Sequence, residues 1–169
     1  MHNNVEKVIH IEWDGPFSND NITELVGPSD YGVYQIYGTH PIYGAGVLLY
    51  IGSASSQYFG ARIRQHNWVT WCQDPMKISI YIGRLGGYER VSDDEWDRRI
   101  VQAERLLIYT HSPAFNSQNI RTIRPEDVED IRVFNWDSYR SLFPEVSGGR
   151  WTDKFTDKHW RIYAEGEMK

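Results

Sequence analysis

The sequence predicts an α+β fold, a small mixed or antiparallel β-sheet flanked by helices, and three observations lead there. Stretches rich in Val, Ile and Tyr, bounded by Gly and Pro, recur at Gly32–Tyr37, Val47–Ile51, Lys77–Leu85 and Ile131–Trp136. Segments of helical periodicity lie between them, the clearest following Ser92. The resulting order is strand, strand, helix, strand, helix and a mixed tail, which suits one small sheet with helices packed on it.

The elements follow in order. A short apolar stretch at Val8–Trp13 precedes turn formers at Gly15, Pro16, Asn19, Asp20, Gly27 and Pro28. The Gly32–Tyr37 and Val47–Ile51 strands should pair as a hairpin with a long loop at Gly38–Gly46. A small-residue turn after Gly52 leads into a helix over Tyr58–Trp71, and Lys77–Leu85 reads as the third strand. Ser92 with Glu95 is a capping-box pattern and opens a helix reaching Tyr109. Past Pro113 come a loop, a short helix starting at Pro125 and the Ile131–Trp136 strand. A last helix over Ser138–Phe143 should end before Pro144, ahead of a Trp-bearing tail from Trp151.

A chain of 169 residues suffices for one core and is marginal for two. With 40% hydrophobic and 24% charged residues it is globular rather than disordered. Seven Trp and eleven Tyr can fill a core, stack on bases or coat a partner surface, and composition does not choose among these. The lone cysteine, Cys72, excludes an intrachain disulfide and a Cys-rich zinc site and fits a reducing compartment. The charged N-terminus reads as neither signal peptide nor membrane span, so the expected location is cytoplasmic. A net charge of −5 argues against a protein that coats nucleic acid indiscriminately, but not against a local basic surface.

Candidate chemistry gathers in four places. On the second helix Trp96, Ile100, Ala103 and Leu107 form an apolar stripe, and Glu104 sits on it, four residues from Ile100 and from Ile108. A carboxylate there needs a cation or good donors, or else it reaches solvent at the stripe's edge. On the first helix Arg62 and His66 are four apart and share a face. A guanidinium suits phosphoryl oxygens and a histidine moves protons near neutral pH, although the same residues also make an ordinary basic face. The strands supply Tyr34 and Tyr50, each of which taken singly is most simply a packing residue.

It is the combination that is informative. Gly32-Val33-Tyr34, Tyr50-Ile51-Gly52, Arg62-Ile63-Arg64-Gln65-His66 and a helical Glu104 leading to Pro113-Ala114-Phe115-Asn116 occur in that order. This succession resembles the GIY-YIG nuclease family over about half the chain, Gly32 to Asn116. Val stands for the usual Ile in the first element, and the sixteen positions from Tyr34 to Tyr50 exceed the family's usual hairpin. A second Tyr-Ile-Gly, at Tyr81-Ile82-Gly83, has no Arg-x-x-x-His after it and matches the family's third strand instead.

The resemblance implies a divalent-metal-dependent endonuclease acting on phosphodiester bonds in DNA. Residues 31–120 would be its catalytic core, with 1–30 an N-terminal extension packed on it and 121–169 a C-terminal extension of the same domain. Glu104 would hold one Mg²⁺ or Mn²⁺, and Arg62 would clamp the non-bridging oxygens. Tyr34 would activate or orient the attacking water with help from Tyr50 or His66, and the sequence leaves open which of the three takes the proton. Asn116 would brace the site, while Arg64, Arg84, Arg121 and Arg124 would extend a phosphate-binding surface. Cutting both strands would require a homodimer or two successive events. The alternative is a non-catalytic nucleic-acid-binding module with the same fold.

Overall fold

The computed structural model describes residues 6–66, 74, 77–87 and 91–152. The predicted end of the first helix (67–71), Cys72, and Trp160 and Tyr163 of the tail lie outside the described residues. Six strands, β1 (Lys7–Phe17), β2 (Gly32–His40), β3 (Gly44–Ala54), β4 (Ser79–Gly86), β5 (Ile131–Asp137) and β6 (Glu145–Ser147), form one mixed sheet in the order β3-β2-β4-β1-β5-β6. All neighbours are antiparallel except β1 and β5, which are parallel. The helices are α1 (Phe59–Ile63), α2 (Asp93–His111) and α3 (Pro125–Val128), with short 3-10 turns at Asn21–Glu24 and Gly148–Trp151. The class is α+β.

Strand alternation divides the apolar residues between two faces. Ile9, Ile11, Trp13, Val33, Ile51 and Leu85 meet Ile100, Ala103 and Leu107 of α2 on one face. On the other, Tyr34, Ile36, Leu49, Ile80 and Ile82 meet Ile22, Phe59 and Ile63, from the first 3-10 turn and α1. Residues 7–17 form an interior strand between β4 and β5. There Trp13 is buried and its indole N–H donates to Asn135 Oδ1 at 2.9 Å.

Several expectations about elements are corrected. The Gly38–Gly46 stretch is not a long loop, because both strands continue through it until His40 pairs with Gly44. His40 Nδ1 accepts the backbone N–H groups of Ile42 (3.1 Å) and Tyr43 (3.2 Å), and Gly44 and Gly46 take the left-handed φ values of 88° and 69°. Among the described residues the first helix is α-helical over Phe59–Ile63 and passes into a turn at Arg64. No helix forms at Ser138–Phe143, where left-handed backbone at Asp137 (φ 61°) and Arg140 (φ 59°) gives turns. At α2 the Ser92 side chain accepts from Glu95 N–H, but Glu95 turns outward to Arg98 and Arg99 instead of completing the box. The helix runs to His111, where Ser112 at φ 46° ends it.

Candidate functional site

The site lies along the edge strand β3, where α1 and α2 approach from opposite faces. Strand pairing sets Tyr34 opposite Gly52, and the phenol ring lies on the backbone of that glycine. A Cβ at Gly52 would stand 2.4 Å from Tyr34 Oη and 2.6 Å from Tyr50 Cε1, so close approach requires glycine here. Tyr34 is fully buried, and Tyr50 is half-buried beside it with ring centroids 6.1 Å apart.

α1 brings the cationic and imidazole groups to that floor. Buried Phe59 and Ile63 anchor the helix, and Gly60 lets it press onto the chain at Leu25, whose carbonyl accepts Gly60 N–H at 3.0 Å. Arg62 then points back along β3, its Nε donating to the Ser53 carbonyl at 3.2 Å. One turn later His66 Nε2 lies 2.5 Å from Tyr34 Oη, and its ring packs against Tyr50 at 4.9 Å.

From the other face α2 delivers Glu104, whose Oε2 accepts from Ser53 Oγ at 2.8 Å. The fully buried stripe consists of Ile100, Ala103, Leu106, Leu107 and Ile108, and Glu104 is half-buried on its flank. Ser53 therefore joins the two charged groups, taking Arg62 through its carbonyl and Glu104 through its hydroxyl. Sequence reasoning missed this residue. The available signal was strand alternation, which turns the residue after Gly52 toward the α2 face.

The electrostatics follow from partial burial. Burial raises the Glu104 pKa above the ordinary carboxylate value, against the Ser53 hydrogen bond and the positive charge of Arg62 and Arg105. Burial likewise raises the Tyr34 phenol, with Tyr50 and Glu104 adding to the effect and Arg62 opposing it. His66 is lowered to about 4, first by burial and then by Arg62, so its imidazole is neutral near pH 7. With the phenol protonated and the imidazole neutral, the tautomer sets the direction of this hydrogen bond: Tyr34 O–H donates to His66 Nε2 when the ring proton sits on Nδ1.

The donor set suits a hard divalent cation that keeps most of its water. Among the described residues Glu104 has no salt bridge within 4.0 Å, so its buried charge is incompletely compensated. No cluster of three or more His, Cys, Asp or Glu able to hold a metal occurs among the described residues. A single carboxylate completed by water and substrate phosphate is the arrangement these residues allow.

The remaining predicted residues divide. Asn116 sits outside β3 and serves its open edge, with Oδ1 accepting Ile51 N–H (3.0 Å) and Nδ2 donating to the Ile51 carbonyl (2.9 Å). Phe115 N–H continues the pairing to the Leu49 carbonyl at 2.8 Å, at the point where the β2–β3 register shifts between Ile36 and Tyr37. Arg121 and Arg124 are exposed and line a cavity of about 760 Å³ with Asn116 and Arg105. Arg64 is exposed on the turn after α1. Arg84 is held in ion pairs with Asp30 (2.7 Å) and Asp14 (3.7 Å) and is not brought to the Glu104 cluster as an uncompensated cation. Trp136 on β5 and Trp151 at the start of the tail are exposed. No helix among the described residues is long and apolar enough to cross a membrane. No family model, curated protein or solved structure matches this chain.

Proposed function

We propose that this chain is a divalent-metal-dependent endonuclease that hydrolyses phosphodiester bonds in DNA through a GIY-YIG-type site. The observation that carries the reading is the convergence on one strand edge of Tyr34–His66, Arg62 and Glu104, the last two joined through Ser53. Three distant stretches supply a proton-transfer pair, a permanent cation and an undercompensated carboxylate, which is what phosphoryl transfer asks of a protein.

Glu104 would hold the Mg²⁺ or Mn²⁺, which when bound neutralises charge gathering on the phosphoryl group and the leaving oxygen. Arg62, its Nε on the Ser53 carbonyl and one Nη on Gln65 Oε1 at 3.1 Å, would offer its remaining N–H groups to the non-bridging oxygens. Tyr34 alone is a poor base because burial raises its pKa. Its hydroxyl can instead accept a proton from the attacking water while passing its own to neutral His66 Nε2. Tyr50 packs edge-on against the imidazole at 4.9 Å and would help fix its orientation. With one such site per chain, cutting both strands requires two copies or two events.

A supercoiled-plasmid assay in Mg²⁺ or Mn²⁺ tests the reading, with Glu104→Ala and EDTA as controls. Nicking abolished by both supports it. Cleavage that survives Glu104→Ala would mean that the site is misassigned, and metal-independent, salt-sensitive DNA binding without cleavage would favour the non-catalytic module.

A further inference from the structure

A second cavity, of about 600 Å³, opens beside the β3–α1 turn and is lined by Tyr31, Tyr58, Trp96, Ser55, Asp93 and Asp97 among others. Its aromatic wall is only partly covered. The Tyr31 and Tyr58 rings lie 4.8 Å apart, tilted by 46°, Tyr58 is 37% exposed, and Trp96 is partly buried. Among the described residues neither Asp93 nor Asp97 has an ion-pair partner, whereas Glu95 on the same turn pairs with Arg98 and Arg99. The α2 N-terminus accounts for Asp93, which lies in the first turn, but Asp97 lies beyond it.

The cavity is tied to the Glu104 cluster on both sides. Ser55 is two residues past Ser53, and Tyr58 is the residue from which α1 starts toward Arg62. Asp97 and Glu104 are seven residues apart on one flank of α2, about 10 Å along its axis. A strand whose phosphate met Arg62 would therefore have a nearby nucleotide within reach of the aromatic wall.

Two carboxylates repel phosphate, so a polyanion can place only a base here, and the base must bring N–H donors. Thymine offers one N–H between two carbonyls. Cytosine and adenine offer an amino group beside a ring acceptor, which would face the second carboxylate oxygen. Guanine presents N1–H and the N2 amino group side by side, a fork that matches one carboxylate as a guanidinium does. Stacking on Tyr and Trp is available to any base and supplies affinity without choice.

We propose that this cavity receives an unpaired nucleobase of the bound strand, stacked on Tyr31, Tyr58 and Trp96, and that Asp97, with Asp93 at the rim, selects guanine. The role of that base, a neighbour of the cleaved phosphate, rests on the nuclease reading; the cavity's chemistry does not.

The test is fluorescence anisotropy with a labelled single-stranded oligothymidylate carrying one central dG, against the same strand with deoxyinosine or thymidine there, in EDTA. The dG strand should bind roughly tenfold tighter than the all-thymidine strand, with deoxyinosine between them. Asp97→Asn, which keeps the shape and removes the charge, should erase the preference, and Tyr58→Ala should weaken all three strands. Equal affinities in the wild type, or a preference retained in the Asp93→Asn/Asp97→Asn double variant, would overturn the proposal. So would Asp97-dependent binding of argininamide without any dG preference, which would assign the cavity to a protein partner's guanidinium. Because no cleavage occurs in EDTA, lost preference with intact plasmid nicking refutes the cavity alone. Preference without nicking refutes the nuclease alone.

Discussion

Tyr34 Oη and His66 Nε2 lie 2.5 Å apart, a phenol on a buried strand meeting an imidazole at the end of a five-residue helix. Burial disfavours the charged form of both groups, raising the phenol and lowering the imidazole. The pair therefore rests neutral near pH 7, its two atoms at the distance proton transfer requires.

Acidification should reveal His66. Its folded pKa of about 4 lies below the ordinary 6.5, so the unfolded chain binds more protons between these values. Its stability contribution is complete above about pH 6.5 and is lost as pH falls toward 4. Thermal melts across that window should show Tm falling with pH, and the slope should flatten in His66→Gln. Cleavage should keep its histidine-dependent acid limb near pH 4 rather than 6.5, because only the neutral ring accepts the proton.

Glu104 should trade stability for activity. Its folded pKa is raised, so its contribution is fully present below the unfolded value and is lost as pH rises through the folded one. Glu104→Gln should thus melt higher than wild type in metal-free buffer at neutral pH, by roughly 2–4 °C per kcal/mol relieved. The same variant should not cleave, and added Mn²⁺ should raise the Tm of wild type only. A variant that melts lower without metal would show that the carboxylate is already well compensated.

Ser53 should act through its two partners. Removing the hydroxyl in Ser53→Ala leaves Glu104 less well oriented, and apparent Mn²⁺ affinity should drop by about 10–100-fold. Ser53→Thr, which retains the donor, should recover most of it. Equal metal titrations for the wild type and Ser53→Ala, followed by binding as well as by cleavage, would show that the hydrogen bond does not position Glu104.

Gly52→Ala should disable the site without touching a charged group. Its methyl would meet Tyr34 Oη at 2.4 Å and Cζ at 2.5 Å, forcing the buried ring away from His66. Overpacking of this kind costs about 1–3 kcal/mol. Urea unfolding should show that loss, and cleavage should fall further than the lost folded fraction explains.

Asn116→Ala should expose the fragility of the sheet edge. Both polar backbone groups of Ile51 lose their partner, at about 1–3 kcal/mol for each group left dry. Hydrogen exchange at the Ile51 amide should accelerate well before exchange in β4, which is paired on both sides. Equal protection in the variant would mean that water replaces the side chain without cost.

The local character of most elements was legible in the sequence because it depends on neighbours in the chain. The Val, Ile and Tyr stretches gave β2 to β5, and Ser92 marked the start of α2 within a residue. The spacing of Arg62 and His66 showed that both could act together, and the order of the motifs supplied every residue of the Tyr34, Arg62, His66 and Glu104 cluster. Left-handed backbone at Asp137 and Arg140 was not legible, because such conformations are imposed by packing rather than by side-chain periodicity. Nor was the hairpin's extension through Gly38–Gly46, which depends on cross-strand pairing. Only the tertiary structure decided that residues 7–17 lie inside the sheet, that Arg84 is paired with Asp30 and Asp14, and that Ser53 links Arg62 to Glu104. Those are relationships between strands and helices distant in the chain, set by which faces must be buried together, and no local pattern encodes them.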